Sequence, residues 1–229
     1  SSIENVKNMV TLNVSIEGAI AEIHDKITNK LGSFQKLLNG IKVARNKDFD
    51  IWSIMTLCRH NKYDLENVIC LLESMGINNM SINFANKPFN VDYSDEDYLT
   101  IAEFNDVITL SNTHSMQITV SPSLPLCYLS PKFRELLKIG KIKLNNSCQL
   151  LFGNAFTIDA KGDILYCNHL TEIKAGNINN ITCERQLHEF LKNMEIQVKK
   201  TLQKYPFEKC NSCNENLACF GGCPLLWIK

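Results

Sequence analysis

Six of the chain's ten cysteines fall into a spaced series. Cys210-Asn211-Ser212-Cys213, then Cys219 and Cys223, read C-x2-C-x5-C-x3-C, and upstream Cys148, Gly162 and Cys167 read C-x13-G-x4-C. Short loops bring several thiolates to one centre at low closure entropy, and backbone amides around Gly221-Gly222 can donate to sulfur. Zinc and iron–sulfur clusters both accept such a donor set. A disulfide framework is the rival reading, but it belongs to short exported chains with poor cores. Here 45% of 229 residues are apolar, and Ser1-Ser2-Ile3-Glu4 does not open a signal peptide. Metal or cluster ligation is the reading the cysteines favour.

The elements that must carry this chemistry are legible in the hydrophobic pattern. Val10, Leu12, Val14 and Ile16 alternate with Thr11, Asn13 and Ser15, which predicts a strand with one polar face. After a loop ending at Gly32-Ser33, a helix capped by Ser33 carries Phe34, Leu37, Leu38, Ile41 and Ala44 at helical spacing. A strand at about 51–57 follows, then a helix capped by Asp64 that stops at Gly76, then a strand around 77–84. This β-α-β-α-β order predicts parallel pairing in an α/β fold, an open partial barrel segment over 1–90. The polar strand face suits a barrel lumen that holds a polar ligand, lined by Asn13, Ser15 and Glu17.

Residues 91–145 read as a connecting helical region. Thr100 and Glu103 form a capping box, Pro122 and Pro125 punctuate an irregular stretch, and Ser130-Pro131 opens a short helix ending near Gly140. The cysteine-rich part, 146–229, reads as a small α+β domain. Phe156 to Tyr166 form a β-hairpin turning at Asp159-Ala160-Lys161-Gly162, and Leu187, Phe190, Leu191, Met194, Val198 and Leu202 stripe a long helix. Lys plus Arg and Asp plus Glu each total 24, so no basic surface for nucleic acid is announced. Without a long apolar run, no membrane span is expected, and the chain reads as cytoplasmic.

The whole cysteine pattern resembles the SPASM domain of radical S-adenosylmethionine enzymes. Thr11 to Gly18, His24-Asp25, Gly32-Ser33-Phe34 and Thr56-Leu57 with Asn61 likewise resemble the fourth strand onward of that family's barrel, although Glu17 stands where the family has Asp. The resemblance implies that Cys148, Cys167 and Cys223 serve a first auxiliary 4Fe–4S cluster and Cys210, Cys213 and Cys219 a second. The family's pattern ends with a further cysteine that does not follow here. The resemblance also makes S-adenosylmethionine the ligand expected at Asn13, Ser15 and Glu17. The implied function is an oxidoreductase that modifies a ribosomal peptide or protein by hydrogen-atom abstraction. Asn168 replaces the Asp that anaerobic sulfatase-maturating enzymes carry after the hairpin cysteine, which counts against that activity.

The family's C-x3-C-x2-C triplet, which holds the cluster that cleaves S-adenosylmethionine, is missing from these residues. The expectation is a fragment whose partner is the amino-terminal segment of the same enzyme, since strand 10–16 would otherwise show an unpaired edge. A non-catalytic zinc- or cluster-binding module that recognises a protein is the alternative. Outside the pattern, Cys58, Cys70, Cys127 and Cys183 read as small hydrophobes, with Cys127 a possible approach to the first cluster. His24 and Asp25 read as structural. With its auxiliary clusters rebuilt, the chain alone should form no 5′-deoxyadenosine under dithionite above a no-protein control. Chromatography of the reaction checks this, and turnover would refute the fragment reading.

Overall fold

A computed structural model describes residues 11–85, 98–110, 115–121, 124–145, 156–202, 208–215, 219 and 221–224. Five strands, β1 (Thr11–Ser15), β2 (Asp50–Leu57), β3 (Asn79–Phe84), β4 (Gln117–Ser121) and β5 (Ile142–Leu144), form one sheet in chain order with every neighbouring pair parallel. Parallel neighbours need long crossovers, and helices supply them. They are α1 (Ala21–Thr28), α2 (Ser33–Asn46), α3 (Leu65–Ser74), α4 (Ile101–Leu110) and α5 (Pro131–Lys138).

The two faces of this sheet differ in chemistry. In register, Ser53 pairs Met80 and Met80 pairs Ile118, so Ile51, Met55, Leu57, Ile82, Phe84 and Val120 share one face, and all are buried. Helices contribute Val68, Ile69, Leu72, Phe104, Ile108, Phe133 and Leu136 to the same core. Among the described residues of that face one hydroxyl is buried, that of Ser53, and it donates to the Asn79 carbonyl at 3.1 Å. On the opposite face Asn13, Trp52, Ser15, Ile54, Thr56, Ser81, Asn83, Thr119 and Ser121 align, and none is buried. One covered apolar face and one open polar face is the layout of a partial barrel wall.

The α/β expectation stands, with corrections inside it. The region read as connecting and helical also supplies β4 and β5, so the sheet has five strands rather than three. Gln117-Ile118-Thr119-Val120-Ser121 does alternate, but five residues bounded by irregular chain carry a weak signal. The segment read as a loop before Gly32 contains α1, whose N-cap Ile20 offers no side-chain cap. Ser33 is the first helical residue of α2 rather than its cap, because Gly32 occupies the cap in a left-handed conformation with φ 78°.

Other local readings match the structure. Thr100 N–H donates to Glu103 Oε2 at 2.9 Å while Glu103 N–H donates to Thr100 Oγ1 at 3.1 Å, the reciprocal capping box. Ser130 Oγ accepts from Phe133 N–H at 3.2 Å at the start of α5.

A second compact unit contains β6 (Thr157–Ile158), β7 (Asp163–Leu165), β8 (Lys174–Asn177) and α6 (Glu184–Leu202), together with the strap of residues 124–127. β6 and β7 make the expected hairpin, and β8 adds an antiparallel third strand that the sequence reading passed over. Asp159 Oδ1 fixes the turn by accepting from Lys161 N–H at 2.8 Å and Asp163 N–H at 2.9 Å. Lys174 and Asn177 on β8 both bond the Asp163 carboxylate, which ties the third strand to the hairpin. Among the described residues no helix is long and apolar enough to cross a membrane.

The core makes a direct prediction. Phe104 is fully buried with its ring 5.1 Å from that of Phe84, edge to face. Phe104→Ala should remove about 3–5 kcal/mol of stability by leaving a cavity under β3. Urea unfolding followed by circular dichroism checks it, and a change within error would mean the site collapses freely.

Candidate functional site

The end of β1 is where the open sheet face meets its loops. A parallel strand that stops leaves backbone donors and acceptors to be satisfied by something other than the ladder. Glu17 supplies this, since its Oε2 accepts from Thr56 N–H at 3.0 Å. Asn61 completes the join: its Nδ2 donates to the Glu17 carbonyl at 3.1 Å and to the Thr56 carbonyl at 3.0 Å, while its Oδ1 accepts from Cys58 N–H at 2.9 Å. Asp64 stands at the N-cap of α3 as expected, but its carboxylate makes no cap bond and accepts from Ala19 N–H at 2.6 Å and from Asn67 Nδ2 at 2.8 Å. Gly18 is required between them, because an added Cβ would lie 2.6 Å from the Ile23 side chain.

His24 and Asp25 hold the next layer. His24 is buried, and its Nδ1 accepts from Glu17 N–H at 3.1 Å, which leaves the proton of the neutral ring on Nε2. Burial lowers its pKa, opposed by the Asp25 charge. Asp25 accepts from Phe34 N–H at 2.8 Å, Ser33 Oγ at 2.8 Å and Gly32 N–H at 2.6 Å. The Phe34 bond leads in holding its carboxyl below the usual range. The His24 Nδ1 bond and the three bonds of Asp25 all go to backbone and turn, the structural part that the sequence reading gives this pair.

Of the expected ligand residues, Asn13 and Ser15 stand exposed on β1, in register with Trp52 and Ile54 on the open face. Glu17 differs from its partners in that row. One of its carboxylate oxygens is committed to Thr56, and burial pushes its pKa up against that bond. It therefore positions the strand ends, whatever else its other oxygen meets.

In the second unit, none of the described cysteines is in a disulfide. Cys167 follows the hairpin, half-buried, and its Sγ accepts from His169 N–H at 3.5 Å and donates to Asn168 Oδ1 at 3.3 Å. Cys148 lies outside the described residues, so the first set is represented here by Cys167 and the half-buried Cys223. For the second set, the turn of Glu208–Ser212 carries Cys210, and Cys213 N–H donates to the Cys210 carbonyl at 3.3 Å. Leu126 N–H donates to Cys219 Sγ at 3.3 Å, a backbone donor on sulfur of the kind that suits a ligating thiolate. Among the described residues no three His, Cys, Asp or Glu side chains stand close enough to share a single ion. A tetrahedral zinc would hold its thiolates about 4 Å apart.

Sequence reasoning left two residues with less than they carry. Asn61, which the resemblance places only at the end of a strand motif, bridges the Glu17 and Thr56 carbonyls, and Cys127 lies within electrostatic range of Cys219, Cys210 and Cys213. No spacing rule could have found the latter, because Cys127 precedes Cys210 by more than eighty residues.

No family model matches the chain. In sequence it is 26% identical over 220 residues to an AdoMet-dependent heme synthase of Methanosarcina barkeri (strain Fusaro / DSM 804), across 92% of this chain and 61% of that protein. In structure it is similar to anSMEcpe with bound AdoMet, at TM-score 0.59 and 14% identity over 97% of this chain and 61% of that one. SuiB of Streptococcus suis bound to S-adenosylmethionine superposes at TM-score 0.63 and 13% identity, over 99% of this chain and 53% of that one. The fold is that of radical S-adenosylmethionine enzymes. The resemblance read from β1 and the cysteines is thus matched at the level of the fold. The chain spans 61% or less of the length of each of these three proteins.

The two carboxylates of the rim predict opposite pH responses. Glu17 has its folded pKa raised, so it contributes stability that is full below the ordinary 4.5 and lost as pH rises through the folded value. Glu17→Gln keeps an acceptor for Thr56, and should melt higher than wild type at neutral pH and equal to it below 4.5. Asp25 has its folded pKa depressed, so its stabilisation is present above the ordinary 3.8 and lost as pH falls through the folded value. Asp25→Asn should melt lower than wild type at neutral pH, with the gap closing in acid. Melting curves across pH read both, and parallel shifts for the two variants would refute the assignment.

Proposed function

We propose that this chain is part of a radical SAM oxidoreductase that modifies a peptide or protein by hydrogen-atom abstraction. The observation that carries the reading is the combination, in one chain, of an open polar sheet face and cysteine sulfurs that accept from backbone N–H groups, Cys219 from Leu126 and Cys167 from His169. Asn13 and Ser15, exposed at the β1 end, are the side chains offered to the polar part of S-adenosylmethionine. Glu17 and Asn61 fix where those side chains stand. Cys167 and Cys223, with Cys148, are assigned to a first auxiliary 4Fe–4S cluster, and Cys210, Cys213 and Cys219 to a second. When bound, such clusters supply an electron acceptor or a substrate-coordination site. The cleaving cluster is assigned to a further segment of the same enzyme, with β1, the edge strand among the described residues, as its pairing site, and we place the enzyme in the cytoplasm.

A peptide substrate is supported by anSMEcpe, whose structure with bound AdoMet and a Cp18Cys peptide resembles this chain at TM-score 0.60. A second reading, a porphyrin substrate, is favoured by the heme synthase relative, whose identity of 26% exceeds that of the fold neighbours. The chemistry of the open face suits either, since Trp52 and Ile54 beside Asn13 and Ser15 offer flat apolar surface next to polar groups.

The whole enzyme should be assayed anaerobically with dithionite, S-adenosylmethionine and either a peptide pool or porphyrins. Substrate-dependent 5′-deoxyadenosine formation with a mass change in a peptide is the expected result. Stimulation by porphyrin alone would move the assignment to the second reading. Colourless protein with stoichiometric zinc would overturn both in favour of a non-catalytic module. Asn13→Ala with Ser15→Ala should weaken S-adenosylmethionine binding by about tenfold or more, given the 1–3 kcal/mol cost of unsatisfied polar partners.

A further inference from the structure

The second thiol set has three members in the C-x2-C-x5-C run, and a four-iron cluster takes four thiolates. Its remaining ligand is expected from the resemblance to follow the run. The structure offers another candidate from the opposite direction. The strap of residues 124–127 is pressed against the turn that contains Cys219 and Gly222. A Cβ added at Gly222 would lie 2.6 Å from Pro125 Cδ, 2.7 Å from Pro125 N and 3.0 Å from the Leu124 carbonyl carbon, and Gly222 holds a φ of 73°. Both the conformation and the space demand glycine there. One residue further along the strap, Leu126 N–H reaches Cys219 Sγ at 3.3 Å. The next residue is Cys127, at the start of whose side chain the backbone is thus already fixed beside a ligand sulfur.

Burial comes first in raising the pKa of the Cys127 thiol, and the charges of Cys219, Cys210 and Cys213 act in the same direction, which sets it within electrostatic range of that set beside the strap's contact with Cys219. Cys127 also belongs to the same compact unit as those three, whereas Cys58 lies in the loop before α3 and Cys70 within α3, in the other unit.

We propose that Cys127 is the fourth thiolate of the cluster carried by Cys210, Cys213 and Cys219. The ligand set would then close a loop between the strap and the knuckle, with the Leu126 amide as a donor to the Cys219 sulfur beside it. Cys127 loses its proton on binding, as any cluster thiol must. This rests on the auxiliary-cluster reading given above.

The test is anaerobic reconstitution of the chain with iron and sulfide, followed by iron and sulfide analysis, Mössbauer and electron paramagnetic resonance spectra. Cys127→Ala should lose one cluster's iron or show a three-iron signal absent from wild type, while Cys70→Ala should match wild type. Cys127→Ser should retain the cluster with a shifted spectrum, since an alkoxide can replace the thiolate. Alkylation of the loaded wild-type protein, read by peptide mass spectrometry, avoids any folding defect of a variant. Cys127 should be protected together with Cys210, Cys213 and Cys219, while the exposed Cys70 reacts. Labelling of Cys127 at the rate of Cys70 in iron-loaded protein, or a Cys127→Ala spectrum identical to wild type, overturns the proposal alone. Wild-type protein that takes up no iron overturns the cluster reading and this proposal with it.

Discussion

A parallel strand cannot finish its own hydrogen bonding, and the rim of this sheet is organised around that shortage. Where β1 stops, the Thr56 amide and the carbonyls of Glu17 and Thr56 need partners, and two side chains provide all of them. Glu17 spends a carboxylate oxygen on Thr56 N–H, and Asn61 bridges both carbonyls while accepting from Cys58. The position of Asn13 and Ser15 on the open face follows from this join, because it fixes the register and the end of the strand that carries them. A carboxylate kept half out of water for this purpose has a raised pKa, a desolvation cost that the backbone bond only partly offsets.

The same logic runs through the following loop. His24 accepts from Glu17 N–H, and the adjacent Asp25 gathers three donors from Gly32, Ser33 and Phe34. One consecutive His-Asp pair therefore links the strand end to the start of α2. Residues that in isolation look like acid–base machinery are consumed by backbone satisfaction. In the second unit the hairpin turn is held by Asp159 and cross-braced through Asp163, which places Cys167 at its foot. The knuckle depends on Gly222, where the strap approaches too closely for any side chain.

The fold class was legible because periodicity reports burial directly. The strand at 11–15, the helices with apolar stripes, the Thr100–Glu103 box, the Ser130 cap and the hairpin around Asp159 all depend on neighbours within a few residues. Their physics is local, so their signal is local. The elements that escaped notice are short or lack a cap: α1 opens at Ile20, β5 has three residues and β8 four. Such segments are held by the ladder and the core, and their own propensities say little.

The sequence by itself determined that six cysteines would stand in a spaced series in one domain, that a polar-faced strand would lead a parallel α/β segment, and that both resemble one enzyme family. Residue type and spacing suffice for this, since thiolate chemistry and side-chain period are properties of the chain. Only the tertiary structure decided that the strap before Cys127 lies against Cys219, that Glu17 is a strut and that Ser33 is a carboxylate partner in place of a cap. Those outcomes rest on contacts between residues far apart in sequence, such as Leu126 with Cys219 and Glu17 with Thr56. Hydrogen bonds satisfied at long range leave no periodic trace, because the partner's identity is set by where the folded backbone runs out of donors.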